Sequence, residues 1–256
     1  MTPLSRGIIS SGKLDEGGGP VEATYSMFDF NGTSDYITIA DAANLSPAGN
    51  NFTFIQWVNV VSFATNPNPT LIAKWSSTNG QKEYLIRLGA GAIIFDYTTT
   101  GSTASGVQLF INTTINVSTL YQVAIRRNGA DLDFFLNGVQ VGVSQNISTD
   151  TIFNSTHPTE IGAANTHSSE FLEGSTSYPI QLNTNLSDGQ ILEQYNVGKP
   201  FAYSVQPTYI TSNDVLALEL TSNDATANDL SGNNNDGTIS GATATGENIT
   251  FDLVGP

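Results

Sequence analysis

From Met27 onward, short apolar runs recur about every 8–12 residues between clusters of Gly, Asn, Pro and Ser, the spacing of strands in an antiparallel sandwich. In DYITIA (35–40), Ile37 and Ile39 alternate with Tyr36 and Thr38. FTFIQWVNVV (52–61) sets Phe52, Phe54, Val58 and Val60 on one face and Ile55 and Trp57 on the other, which predicts a central strand covered on both sides. TLIAKW (70–75), EYLIRL (83–88), AIIFDY (92–97), VQLFI (107–111) and LYQVAIRR (120–127) follow. In DLDFFLNGVQVGVS (131–144), Asn137-Gly138 sits between two alternating runs and supplies the positive φ angles of a two-residue type I′ hairpin. Asn128-Gly129 predicts another tight turn just before it.

One segment has helical spacing. In LSDGQILEQYNVGKP, Leu186 to Pro200, Ser187 and Gln190 form a capping box, Ile191, Leu192 and Tyr195 share a face, and Gly198 with Pro200 ends the run. The chain therefore divides into a Gly/Ser-rich arm (1–22), a sandwich (23–198) and C-terminal strands (199–256) that close the sandwich or contact a neighbouring subunit.

Composition narrows the functions. Charged residues are 12% of the chain, against about 25% in typical domains. The net charge of −15 reflects scarce base, with only 8 Lys and Arg. Such a surface repels phosphate backbones, so nucleic acid is not an expected partner. No stretch of about 20 apolar residues predicts a membrane span, and the N-terminus lacks the apolar run of a Sec signal. An extracellular role would then use lysis, a dedicated secretion system or incorporation into a particle. With no cysteine, neither disulfides nor thiolate chemistry contributes.

The order of these segments carries a resemblance. FDFNGTSDYITI, FTFIQWV, LIAKW with EYLIRL, LYQVAIRRNGADLDFFLNGVQVG, TEIGA and FLEGSTSYPIQLNTNLSDGQILEQYN resemble, in order, the laminin G-like, concanavalin A-type jelly rolls. Leu186, Ser187, Ile191 and Tyr195 match the family's helix, whereas Tyr121 stands where a Trp is usual and Asn31 is read as incidental. The resemblance implies an all-β antiparallel two-sheet jelly-roll sandwich with one short helix, and loops at one rim available for ligand. It does not choose among functions.

Glucan-cleaving enzymes of this general fold place an acid and a nucleophile on one strand with E-x-D-x-x-E. Asp131 with Asp133, and Glu170 with Glu173, lack the third member and the spacing, and His157 and His167 read as surface histidines. No enzymatic activity is expected. If an ion is bound it is calcium, with Asp35, Asp131 and Asp133 as candidate ligands. Trp75, before SSTNGQ, and Tyr97, before TTTGST, are the candidate rim aromatics for stacking on a sugar. The leading expectation is a non-catalytic virion protein, a bacteriophage capsid decoration, head-fibre or tail component. Its partners would be other copies or other virion proteins and, through a lectin-like sandwich, cell-surface glycans. The alternative is a secreted bacterial carbohydrate-binding or adhesion module, with a glycoside hydrolase behind both.

DLSGNNNDGTISG (229–241) fails as an EF-hand, because with Gly237 at the sixth position Gly232 and Thr243 fall where the end ligands belong. In laminin G-like proteins such an element usually precedes the first F-D-G strand. Here it comes late and is followed by NITFDLV (248–254), an echo of YSMFDF (25–30). That position favours closure by strands of the same chain over insertion into a neighbour.

Overall fold

The computed structural model describes residues 25–247 apart from 48, 79, 198–207 and 221–224. The expected arm, the helix stop at Gly198 and Pro200, and NITFDLV lie outside the described residues. The strands are β1 (Tyr25–Asn31), β2 (Tyr36–Ile39), β3 (Asn51–Val60), β4 (Thr70–Ser76), β5 (Gln81–Gly89), β6 (Ala92–Thr98), β7 (Gly106–Asn112) and β8 (Leu120–Asn128). They continue as β9 (Asp131–Leu136), β10 (Val139–Asn146), β11 (Thr159–Ile161), β12 (Glu173–Leu182), β13 (Asp214–Glu219), β14 (Thr226–Asp229), β15 (Gly237–Ser240) and β16 (Thr243–Glu247).

All pairings are antiparallel. Sheet one runs β10-β9-β8-β3-β12, and the far side of β12 is shared by β1 along Glu173–Thr176 and by β13 along Ile180–Leu182. The ladder of β12 shifts between Ser177 and Ile180, where Tyr178 has φ 52°, and this break separates its two neighbours. Sheet two runs β14-β15-β2-β11-β4-β5-β6-β7, and β13–β14 hydrogen bonds join the sheets. The all-β sandwich expected from the strand spacing is the architecture found.

The inner faces pack Phe28, Ile37, Phe52, Phe54, Phe95 and Phe134 into the main core. β3 lies between β8 and β12, and its second apolar face is covered as well: Ile55 joins Ile180, Leu186 and Ile191, and Trp57 stacks on Tyr195 at 5.7 Å. The cover is α1 (Asp188–Val197), which opens on the capping box: Gln190 N–H donates to Ser187 Oγ at 3.3 Å and Ser187 N–H to Gln190 Oε1 at 2.8 Å. A second short helix, α2 (Thr208–Thr211), was not legible in TYIT, which lacks helical propensity. Tertiary contacts hold it: Ile210 is fully buried, and Tyr209 Oη donates to Gln190 O at 3.2 Å.

The 137–138 turn has φ 53° at Asn137 and 80° at Gly138, the type I′ pair. The preceding turn sits one residue later than expected. Asn128 still pairs with Asp131, and Gly129 (φ 64°) with Ala130 makes the loop.

The C-terminal segment pairs within its own chain, β13 with β12, β15 with β2 and β16 with β1. The loop between β14 and β15 is organised by Asp229. Its Oδ1 accepts Ala217 N–H (3.0 Å) and Ser231 N–H (3.1 Å), and its Oδ2 accepts Ser231 Oγ (2.7 Å) and Asn235 N–H (2.9 Å). Asn235 Nδ2 ties the loop to Val215 O at 2.7 Å. The carboxylate is saturated by protein donors, so DLSGNNNDG is a structural turn rather than a cation loop. Asp229→Ala is expected to lower stability by about 2 kcal/mol in chemical denaturation, the scale of hydrogen bonds to a charged group, whereas a calcium chelator should leave the wild-type midpoint unchanged.

Candidate functional site

The two outer faces differ. Sheet one is roofed by α1, and Arg126 fastens the roof: its Nε and Nη2 donate to Asp133 Oδ2 (3.1 and 2.7 Å), and its Nη1 to Leu186 O (2.8 Å) and Asp188 Oδ1 (2.6 Å). Asp133, a candidate calcium ligand in the sequence, is thus a buried ion-pair partner, 3% exposed. Asp131, two residues back, is exposed at the strand end. Asp35 lies in the β1–β2 turn, where its carboxylate accepts Asn31 N–H (3.0 Å) and Asn31 Nδ2 (2.9 Å). Asn31 is no incidental residue, since its Oδ1 also accepts Thr33 N–H and Ser34 N–H, each at 2.9 Å. The three proposed calcium ligands are therefore not brought together, and among the described residues no group of three or more His, Asp or Glu has metal-holding geometry.

Tyr97 is also misplaced by the sequence reading. Inward residues of β6 alternate as Ile93, Phe95 and Tyr97, so its ring is core, 1% exposed. Its hydroxyl donates to Asp150 Oδ2 at 2.9 Å, and burial pushes its pKa up.

Trp75 does reach a rim, at one end of sheet two. The loops β4–β5, β6–β7 and β11–β12 meet there. Lys82 N–H donates to Gly101 O (3.1 Å), Asn165 N–H donates to Trp75 O (3.1 Å), and Asn165 Oδ1 accepts Ser77 N–H (2.8 Å) and Ser77 Oγ (2.6 Å). The partly exposed indole packs against Ala73, Leu85 and Ala164, and the Lys82 ammonium stands 5.3 Å from its centroid. Lys82 Nζ also donates to Thr103 Oγ1 at 2.7 Å.

Beside this cluster, Asn165, Thr166 and His167 have φ of 58°, 61° and 50° in succession. Each such non-glycine residue costs about 1–2 kcal/mol, so the surroundings must hold the run in place. His167 stacks on Tyr36 at 3.9 Å with rings 6° apart, and its N–H donates to Glu160 Oε1 at 2.8 Å. Its Nδ1 is also 2.8 Å from that oxygen but out of line for a hydrogen bond, and Glu160 Oε2 has no hydrogen-bond partner. His157 Nε2 meets Thr166 Oγ1 at 3.2 Å. Neither histidine is the free surface residue that the sequence suggested. Burial lowers both their pKa values and pushes Glu160, 0% exposed, up to about 7. No local sequence signal marks Tyr36 or Glu160, because both join the site through pairing of β2 with β11.

Farther along the same face, Arg87 Nε and Nη2 donate to Asp96 Oδ2 (3.1 and 2.5 Å), Arg87 Nη1 donates to Glu170 Oε1 (3.1 Å), and Gln108 Nε2 donates to Asp96 Oδ1 (2.8 Å). Burial pushes Glu170 up while Arg87 pulls it back. One guanidinium thus clamps both acids.

Glu160 gives the fold a pH dependence. Its folded pKa of about 7 exceeds the ordinary carboxyl value of 4.5, so its contribution is fully present below 4.5 and is lost as pH rises toward 7. Across that window wild-type stability should fall relative to Glu160→Gln by on the order of 2–3 kcal/mol, read from denaturant midpoints of the two proteins.

A family model described as the concanavalin A-like lectin/glucanases superfamily, of laminin G type, matches residues 31–178. No curated protein matches significantly. Among solved structures, a putative carbohydrate binding protein from Bacteroides ovatus superposes with TM-score 0.67 at 15% identity over 91% of this chain, which spans 63% of that one. A heptameric SAP-like pentraxin from Limulus polyphemus gives 0.52 at 12% identity, covering 72% of this chain and 90% of its own. The Ruminococcus gnavus IT-sialidase CBM40 bound to alpha2,3 sialyllactose gives 0.50 at 13% identity, covering 65% and 96%.

Proposed function

The chain belongs to a laminin G-type family of the concanavalin A-like lectin/glucanases superfamily, and on that premise we propose that it is a non-catalytic sandwich that binds glycans at the rim around Trp75. The observation that carries the proposal is the indole itself, partly exposed where three loops converge and set beside an ammonium and several hydroxyls. An aromatic face takes the C–H side of a pyranose, while Lys82, Thr103 and Ser77 are placed for its hydroxyls. Two structural neighbours carry carbohydrate in their descriptions, which supports the reading.

The non-catalytic part rests on the Arg87 clamp. A glycosidase needs one carboxyl able to give a proton and another free to attack or to activate water. Asp96 has both oxygens engaged, and Glu170 shares the same guanidinium. In the virion setting expected from the sequence, this rim would attach a particle to a host surface. In a secreted module it would hold the protein on its glycan. Mass spectrometry of purified particles separates the two settings.

Glycan-array screening of the wild-type chain should give binding, and Trp75→Ala should weaken it about tenfold or more, a loss of roughly 1.4 kcal/mol, with the melting temperature little changed. Undiminished binding by that variant would move the site elsewhere, and an array without hits would reject the glycan reading.

A further inference from the structure

On the inner side of sheet two, at the end where the rim lies, Lys74 is completely buried and points at two carboxyl groups. Its Nζ is 2.7 Å from Asp41 Oδ1 and 3.0 Å from Glu83 Oε2. It also donates to Ser46 Oγ (2.9 Å) and Ser155 O (2.7 Å). The arrangement follows from the strand register. Lys74 pairs with Tyr84 and Trp75 with Lys82, so Glu83 is an extra residue in β5 and turns inward beside Lys74. Side-chain exposure is 0% for Lys74 and Glu83 and 35% for Asp41.

Two carboxylates around one ammonium would leave a net negative charge in a dry site, which is costly. Desolvation opposes this by raising Glu83, against the Lys74 charge that lowers it. Glu83 Oε2 is occupied by Lys74, Ser155 N–H (2.9 Å) and Ser155 Oγ (3.1 Å), whereas the buried Oε1 has no partner. A proton on Glu83 makes the triad neutral. The site then holds an amine, a carboxyl group in contact with it, and a buried acid able to carry a proton between them.

We propose that Lys74 and Asp41 condense to an intramolecular isopeptide bond, with Glu83 as the proton carrier. Lys74 passes one proton to the Asp41 carboxylate in contact with it, and the neutral Nζ attacks Asp41 Cγ; the C–N bond forms and one C–O bond of the carboxyl breaks. Protonated Glu83 gives its proton to the departing hydroxyl and takes the second proton from nitrogen, ending as it began. The ammonium and the carboxylate together become an amide and one water, with no oxidant or cofactor. Holding the reactants in contact replaces a bimolecular encounter and removes its entropic cost from the barrier. The water leaves on the Asp41 side, the one member of the triad that solvent reaches. The bond would tie the chain just beyond β2 to β4, across the intervening β11. A chain without cysteine would thereby gain a covalent clasp.

Intact-mass measurement of the purified full-length chain tests this. The wild type is expected one water lighter than its sequence, and a protease digest should yield a branched peptide joining the Asp41 and Lys74 segments. Glu83→Gln should restore the full mass while keeping the wild-type circular dichroism spectrum. Lys74→Arg should restore it as well, and if that variant does not fold, the Glu83→Gln comparison still decides. A folded wild type at full sequence mass overturns the proposal. So does a water loss that maps to a linear peptide at Asp188-Gly189 or Asp236-Gly237, where succinimide formation would also remove water.

Discussion

A two-sheet sandwich buries one face of each sheet, and the decisive constraint here is that a helix buries a second face of only one of them. Ile55, Trp57, Phe135 and Ile180 are apolar on the outer side of sheet one, and leaving them wet would cost about 1.5–3 kcal/mol for each large side chain. α1 covers them, and the Arg126–Asp133–Asp188 contacts hold its N-terminus against the sheet. With that side closed, sheet two has the outer face that carries the Arg87–Asp96 pair, Glu160 and, at one end, Trp75. The position of the rim is therefore a consequence of where the helix packs.

The C-terminal strands settle a second problem, the free edges of β2 and β12. An unpaired edge is a template for unwanted association. β15 lies along β2, β13 along β12, and the β13–β14 hydrogen bonds carry the chain from one sheet to the other. Asp229 makes the crossing tight, because four donors converge on one carboxylate within a run of Asn and Gly that could otherwise adopt many conformations. The asparagine density that first suggests metal coordination is in fact turn chemistry directed at this edge.

What could be read in the sequence was local. The Asn137-Gly138 hairpin, the Ser187–Gln190 box and the two apolar faces of β3 each depend on residues a few positions apart, and each lies where expected. What could not be read depends on pairing between distant strands. Tyr97 looked like a rim residue because it ends its run, yet its parity with Phe95 turns it inward. Asp133 looked available as a calcium ligand until the short turn after Asn128 set it opposite Arg126. Glu160, Tyr36 and His167 come together only when β11 is laid beside β2, and Glu83 meets Lys74 only through a register shift that no propensity encodes. At the proposed rim, Trp75 was named from its place at the end of an apolar run, whereas the groups around it arrive from distant loops and carry no such signal.

Scarcity of base gives the cations unusual weight. Of the Lys and Arg among the described residues, Lys74, Arg87 and Arg126 are held in ion pairs, and Arg127 is buried with its guanidinium on the carbonyls of Gly129 and Ser148. Lys82 differs from them. It touches a hydroxyl and an aromatic ring, has no carboxylate partner among the described residues, and is partly exposed. In a chain of net charge −15, an ammonium left without a counter-ion is a local reversal of the surface field. It stands over the Trp75 ring at the rim. The rim thus sets a positive charge and an apolar plane side by side, and that combination distinguishes it from the clamped acids farther along the same face.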